Sequence, residues 1–406
     1  MNILFIHQNF PGQFRHIAQA LVNAGGHQIM SLCSETAPGL PGVQGIVYKT
    51  ERKGTPGIHA YMSGPEAHVI RGQSVARALL ALKQQGYKPD AIVAHMGWGE
   101  ALFPKDIFPE VPLITFFEFF YQVSGADVGF DPEYPIGLDD HLRVRIKNIT
   151  NLVSLEAADI GISPTAWQRS LYPQEYQAKI RLIHEGINTG IAIPDASAVV
   201  ELASGLKLTR ADEVITYVAR NLEPYRGFHI FMRAADIILK RRPNCHILIV
   251  GGDDVSYGKK LPEGETYRER MLKEVDLDPA RVHFVGKLPY QLYLNVLQIS
   301  SVHIYLTYPF VLSWSMLEAM SAGCVVIGSA TPPVQEVIQH GINGLLVDFF
   351  SPVQIADSVD SVLNDADQMQ AIRVAARTTI IERYPLQKGI DAYLQVFKQA
   401  IGQKSN

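Results

Sequence analysis

From Val214 onward, short β-rich runs alternate with stretches of helical pattern: VITYVA, HILIVG, VHFVG, VHIYLT, CVVIGS and GLLVD are the strand candidates. Strands spaced in this way are joined by crossover helices and lie parallel in one sheet, which restricts the chain to the α/β class. Between the first two runs Phe228, Phe231, Met232 and Ala235 recur at i, i+3, i+4 and i+7, marking the buried face of a helix that RRP then stops. The first half repeats the theme with NILFIH, HQIMSLC, AIVAHM, PLITFF, ADIGIS and KIRLIH, and with Phe14, Ile17, Ala18 and Leu21 on one helical face.

A chain of 406 residues exceeds the roughly 250 to 300 residues that one core organises, so two domains are expected. Residues 191–207 hold Pro, Gly, Ser, Ala and Asp with little periodicity and read as a linker. The expected organisation is a Rossmann-like domain over 1–190, the linker 191–207, and a second Rossmann-like domain over 208–385. The terminal segment 386–402 sets Ile390, Leu394, Phe397 and Ile401 on one helical stripe and is expected to pack back on the N-terminal domain. In open parallel sheets ligands bind outside the carboxyl ends of the strands, so a cleft between the two domains is the default site.

Composition excludes several classes. The net charge of −4, spread evenly over both halves, is not that of a dedicated nucleic-acid binder, and nucleic acid is not an expected partner. Cys33, Cys245 and Cys324 are far apart in apolar runs, which fits reduced thiols and offers no zinc spacing. MNILFIHQNF has no basic leader or cleavage site and reads as a first strand, and VPLITFFEFFYQV is interrupted by Glu118 and shorter than the ~20 residues a spanning helix needs. A cytoplasmic protein is expected, with peripheral contact at the inner membrane face left open.

The stretch TYPFVLSWSMLEAMSAG, from Thr307 to Gly323, carries the most chemistry. Ser315 and Glu318 have the spacing of a capping box, so a helix is expected to start there with its unpartnered N–H groups and positive dipole end turned toward an anion. Glu318 then has two readings: a helix cap, or an acceptor for ribose hydroxyls beside a diphosphate. Arg220 ends VITYVA and Arg226 follows in RNLEPYRGF; two guanidiniums at a strand's carboxyl edge can converge on one anion, or Arg220 can pair with Glu223 on a solvated turn.

These residues resemble the retaining glycosyltransferases of family 4, with the GT-B fold. VARNLEPYRG resembles the family's donor-phosphate segment, its Arg and Lys becoming Arg220 and Arg226. FVGKLP, with Lys287, is similar to the nucleobase-contacting turn, and FVLSWSMLEAMSAGCVVIGS to the sugar-nucleotide helix, whose start falls at Ser313, Trp314 and Ser315. QNFPGQF, with Gly12, looks like the glycine loop after the first strand, and GIN at 186–188 like the link between domains. The resemblance implies an acceptor-side N-terminal domain and a nucleotide-sugar-binding C-terminal one. It also implies sugar transfer from a nucleoside-diphosphate sugar to an acceptor hydroxyl with retention. The expected partners are that donor and a glycan, lipid-linked or small-molecule acceptor.

Two positions depart from the family pattern. The family carries two glutamates eight residues apart; Glu318 matches the second, and Phe310 stands at the first. The family's T-x-H becomes Thr115, Phe116, Phe117, with Glu118 next. Phe310 and Phe117 are therefore expected to line the sugar pocket, with His95 at the end of AIVAHM and Glu118 as catalytic replacements. Glu118 stands among five aromatics, where a carboxylate is costly without a partner or a task.

Asp276 to Asp278 and Asp365 to Asp367 have D-x-D spacing but lie in polar turns, so neither a metal nor another cofactor is expected. The P-loop, dinucleotide, zincin and C-x-x-C signatures are absent. With two family residues replaced, a catalytically silent sugar-nucleotide-binding scaffold and a nucleotide-sugar epimerase stand as alternatives.

Overall fold

The computed structural model describes residues 1–402. They divide into two units: Met1–Gly186 with the chain from Leu386 onward, and Ile187–Pro385. Both are α/β with a parallel, Rossmann-like sheet, as the alternation of patterns predicts.

In unit 1 the strands are β1 (Asn2–Ile6), β2 (Gln28–Cys33), β3 (Gln44–Val47), β4 (Ala91–His95), β5 (Leu113–Phe116), β6 (Ile160–Ser163) and β7 (Ile180–Leu182). Their order is β3-β2-β1-β4-β5-β6-β7, so the winding reverses between β1 and β4, where Ile3 pairs with Ala91. Alternation along β1 builds both cores. Ile3 and Phe5 face a layer with Phe14, Ile17, Leu21 and Phe116, while Leu4 and Ile6 face Leu79, Ile92 and Leu113.

The helix Leu386–Gly402 closes the first of these layers with Tyr393, Val396, Phe397 and Ala400 buried. Ile390, Leu394 and Ile401 of the expected stripe are only partly buried. They nevertheless pack against the same layer as Phe397, the fourth residue of that stripe, and Gly389 lets the helix come close to the chain at His184, where a Cβ would lie 2.5 Å from the carbonyl oxygen.

Unit 2 contains a short antiparallel pair, β8 (Val199–Glu201) and β9 (Lys207–Thr209), then β10 (Val214–Asn221), β11 (His246–Gly252), β12 (Val282–Gly286), β13 (Val302–Tyr305), β14 (Val325–Ser329) and β15 (Leu345–Val347). The parallel sheet runs β12-β11-β10-β13-β14-β15 and reverses between β10 and β13.

The stretch 191–207, whose composition suggests a linker, lies within unit 2. It is held by side chains rather than by an apolar period of its own. Arg377 donates to the carbonyls of Ala192 (3.0 Å) and Thr189 (3.1 Å), Gln298 donates to that of Ile193 (2.9 Å), and β8 pairs with β9. No helix among the described residues is long and apolar enough to cross a membrane.

Candidate functional site

Each sheet has one place where the strand order reverses, and a crevice opens there outside the carboxyl ends because successive crossovers leave in opposite directions. The residues singled out by sequence gather at these two places, one in each unit.

In unit 2, β10 delivers Arg220 to its edge, exposed and with no ion pair among the described residues. Arg226 is placed differently. It sits in the turn Pro224–Arg226, is 7 % exposed, and its Nη1 donates to Thr307 Oγ1 (2.8 Å), the Val311 carbonyl (2.9 Å) and Tyr305 Oη (3.3 Å). The Tyr257 ring lies 5.3 Å from its guanidinium carbon. The expected convergence of two arginines on one anion is thus not what the side chains display. Arg226 braces the loop 307–313 after β13 from inside, and Arg220 is the outward-facing cation.

Glu223 does not pair with Arg220. It is 1 % exposed and accepts from three consecutive backbone N–H groups, those of Ser256 (3.0 Å), Tyr257 (3.0 Å) and Gly258 (2.9 Å). Asn221 adds a bond to Ser256 Oγ (2.8 Å). These two side chains fix the loop after β11, and with it the Tyr257 ring over Arg226. Sequence reasoning missed this lock because its parts lie about thirty residues apart.

The loop 307–313 leads into the helix Trp314–Ser321. Its N-cap is Ser313, whose side chain accepts from Ser315 N (3.3 Å), so the expected Ser315–Glu318 capping box is absent. The backbone N–H of Ser313 donates to Tyr305 Oη (2.8 Å), which starts the helix two residues earlier than the spacing suggests. Ser315 is buried and Trp314 is exposed. Freed from capping, Glu318 accepts from Tyr290 (2.8 Å) and Tyr293 (2.7 Å), one at each carboxylate oxygen. Burial raises its pKa above the usual carboxylate range, against the pull of the two tyrosine donors. Tyr290 and Tyr293, three apart on the helix Tyr290–Ile299, were legible only as an i, i+3 pair.

Phe310, at the position of the family's first glutamate, is buried edge-on against Tyr225 (5.4 Å) and Tyr257 (5.0 Å). Lys287 is exposed beside Asp254 (3.6 Å). Its chain passes so close to Gly252 that a Cβ there would lie 2.4 Å from Lys287 Cε. Of the D-x-D residues, Asp278 binds Arg281 and Asp365 caps a helix, while the side chain of Asp367 lies outside those described.

In unit 1, β4 ends at His95, and His7 directly follows β1. His95 is fully buried, stacked between Trp98 (4.7 Å) and Phe116 (5.4 Å), with its ring 5.1 Å from that of His7. Glu118 is not enclosed by its aromatic neighbours. Phe117 and Phe119 turn into the core, whereas the Glu118 side chain is 31 % exposed, accepts from Gln13 Nε2 (2.9 Å) and stands 3.8 Å from His95 Nε2.

Phe117, expected to line a pocket, instead packs on Tyr172 and beside Gly161 in the core. Gly12 has φ +46, and a Cβ there would fall 2.3 Å from His7 Nε2, so the glycine makes room for that ring. Sequence reading missed His7 and Gln13, although His7 comes directly after its strand, a position comparable to that of His95.

Two family models match the chain: "Glycosyl transferase family 4 group" over residues 25–192 and "Glycosyl transferases group 1" over 205–379. Among curated proteins, it is 26 % identical over 239 residues to a D-inositol 3-phosphate glycosyltransferase of Corynebacterium urealyticum, covering 57 % of this chain and 55 % of that one. It is 24 % identical over 264 residues to a phosphatidyl-myo-inositol mannosyltransferase of Mycolicibacterium smegmatis, covering 58 % and 64 %. The chain spans about half the length of the curated relatives it matches first.

Two solved structures share its fold over nearly the whole length. Sucrose-phosphate synthase from Thermosynechococcus elongatus has a TM-score of 0.76 at 17 % identity, covering 99 % of this chain and 100 % of that one. HepE of Anabaena, solved with UDP-glucose, has a TM-score of 0.71 at 16 % identity, covering 98 % and 100 %.

Proposed function

The chain belongs to the family 4 glycosyltransferases of the GT-B fold, and on that footing we propose that it moves a sugar from a nucleoside-diphosphate sugar to an acceptor hydroxyl with retention of configuration, in glycan biosynthesis. The observation that carries this reading is the grouping at the strand reversal of unit 2: the exposed cation Arg220, the start of the helix Trp314–Ser321 on a loop braced by Arg226, and Glu318 held by two tyrosines. HepE of Anabaena was solved with UDP and with UDP-glucose, which supports a nucleotide-sugar donor for this fold.

In this reading the diphosphate lies over Ser313, Trp314 and Ser315, where helix N–H groups and Arg220 oppose its charge. Glu318 accepts from the ribose hydroxyls, and Lys287 and Gly12 lie on the loops assigned to the donor. The bond from the anomeric carbon to the leaving phosphate oxygen breaks, the acceptor oxygen bonds to that carbon on the same face, and the acceptor proton passes to the departing phosphate. Stabilising that phosphate is the catalytic task of Arg220 and of the loop that Arg226 holds. Charge neutralisation is assigned to these groups, with no metal ion or other cofactor called for. His95 and Glu118 are the catalytic-site groups of unit 1, and the acceptor is a glycan, a lipid-linked sugar or a small molecule. The protein is placed in the cytoplasm, with a lipid-linked acceptor bringing it to the inner membrane face.

Replacing Glu318 by Gln tests the ribose assignment. The amide still meets Tyr290 and Tyr293, so the fold is expected to hold. Donor affinity should fall about tenfold, the loss of one charge-assisted hydrogen bond, by calorimetric titration with nucleoside diphosphates. Unchanged affinity would leave Glu318 with a packing role.

The activity itself is tested by incubating the protein with UDP-, GDP-, ADP- and TDP-sugars and an acceptor panel, then reading released nucleoside diphosphate and the anomeric configuration of the product. Release with a retained configuration is expected. Binding without release would mark a scaffold, and conversion of donor alone an epimerase.

A further inference from the structure

His7, directly after β1, and His95, at the end of β4, have fixed tautomers. The backbone N–H of Asn9 donates to His7 Nδ1 (2.9 Å), and that of Gly97 donates to His95 Nδ1 (3.0 Å). A ring nitrogen that accepts carries no proton, so in both neutral rings the proton is on Nε2. Burial keeps both rings neutral, holding His7 near pKa 4 and His95 well below the usual 6.5.

The two Nε2–H groups meet different fates. That of His7 donates to Gln13 Oε1 (2.8 Å), which orients the amide so that Gln13 Nε2 donates to Glu118 Oε1 (2.9 Å). His95 Nε2–H is fully buried and has no hydrogen-bond partner among the described residues, although it stands 3.8 Å from Glu118 Oε2. An orphaned buried donor is costly and calls for an acceptor. The separation is too long for a direct bond and approaches the span that one oxygen bridges. Glu118, partly exposed, can give by the remaining fraction of an ångström.

What fits between an N–H donor and a carboxylate is a group that accepts from one and donates to the other. A hydroxyl does both. A phosphate group can accept from His95, but its negative charge meets the like charge of Glu118 there.

We propose that His95 Nε2–H and the Glu118 carboxylate form a receptor for one neutral hydroxyl of a sugar or other polyol, with Gln13 and His7 as positioning residues that keep the carboxylate aimed at it. Only the identity of the molecule bearing that hydroxyl rests on the glycosyltransferase reading. Trp98, stacked on His95 and with its carbonyl held by Arg71, fixes the far face of the ring.

The test uses the whole chain labelled with ¹⁵N-histidine. Long-range ¹H–¹⁵N spectra should show Nε2–H tautomers for His7 and His95. Glucose should shift the His95 Nε2–H resonance, and inorganic phosphate should not. In Gln13→Met the glucose response should weaken roughly tenfold or more while the melting temperature stays close to wild type, as expected when a hydrogen bond to a charged group is lost. An Nδ1–H tautomer at His95 in the wild type, a response to phosphate instead of glucose, or an unaltered glucose affinity in folded Gln13→Met would each overturn the proposal; the first two need no variant. If glucose acts as described but no nucleotide sugar is ever turned over, the transferase reading fails alone. If transfer proceeds while glucose leaves His95 untouched, the hydroxyl receptor fails alone.

Discussion

Acidifying the protein from above pH 6.5 toward pH 4 is expected to cost it more stability than any single substitution. Burial holds His7, His68 and His184 near pKa 4 and His303 near 3, against an ordinary value of 6.5, and it lowers His95 as well. The fold therefore keeps these rings neutral, while the unfolded chain takes up their protons as the pH falls below 6.5. The unfolded state then binds more protons, so stability is full above 6.5 and is lost as the pH drops toward the folded values.

Each such ring costs about 1.4 kcal/mol per pH unit within that window. Several together rival the roughly 5 to 15 kcal/mol that a domain has. Glu100 and Glu318 act the other way, because burial raises their pKa and the fold gains their protons first; they offset part of the loss. His7, His68, His95 and His184 all belong to unit 1, so its unfolding transition should move further than that of unit 2. Denaturant midpoints measured against pH, with a probe in each unit, check this; a flat profile across the window would contradict it.

Arg226→Ala should be the most damaging substitution in unit 2. It removes the donor from Thr307, from the Val311 carbonyl and from Tyr305, and leaves a cavity beneath Tyr257. Breaking a buried charged network of this kind costs about 3 to 5 kcal/mol, because the remaining polar groups stay buried without partners. The loop 307–313 should loosen with it, so donor binding is lost along with stability. Arg226→Lys keeps the charge but not the planar fork, and should fall between the two. Denaturant unfolding and nucleotide titration on the same samples separate these effects. A variant within about 0.5 kcal/mol of wild type would show that the brace has no weight.

The parallel sheets were legible because their strands are buried on both faces and read as unbroken apolar runs, NILFIH and HILIVG among them. β3 was not, since Gln44–Val47 is a short and mostly exposed edge strand with no such run. The chemistry followed the same division. Arg220 and His95 stand at strand ends, and Glu318 in the helix after β13, positions a linear reading can find. What each of them touches depends on which strands become neighbours. Gln13 meets Glu118 across 105 residues of chain, and Arg226 meets Val311 across 85, because the sheet order sets β1, β4 and β5 side by side and β10 beside β13. The Ser315 capping box failed for a related reason. Tyr305, at the end of β13, claims the N–H of Ser313 and sets the helix start itself.

On the proposed function, unit 2 binds a nucleoside-diphosphate sugar through Arg220 and the start of the helix Trp314–Ser321. Calorimetric titration of UDP-, GDP-, ADP- and TDP-sugars into wild type and Arg220→Ala tests it most directly. Arg220 is exposed and ion-paired to nothing among the described residues, so its removal should leave the fold intact. At least one donor should bind the wild type, and Arg220→Ala should weaken it by about 2 kcal/mol, roughly thirtyfold, with the melting temperature unchanged. Binding of no nucleotide sugar, or equal affinity in the folded variant, would contradict it.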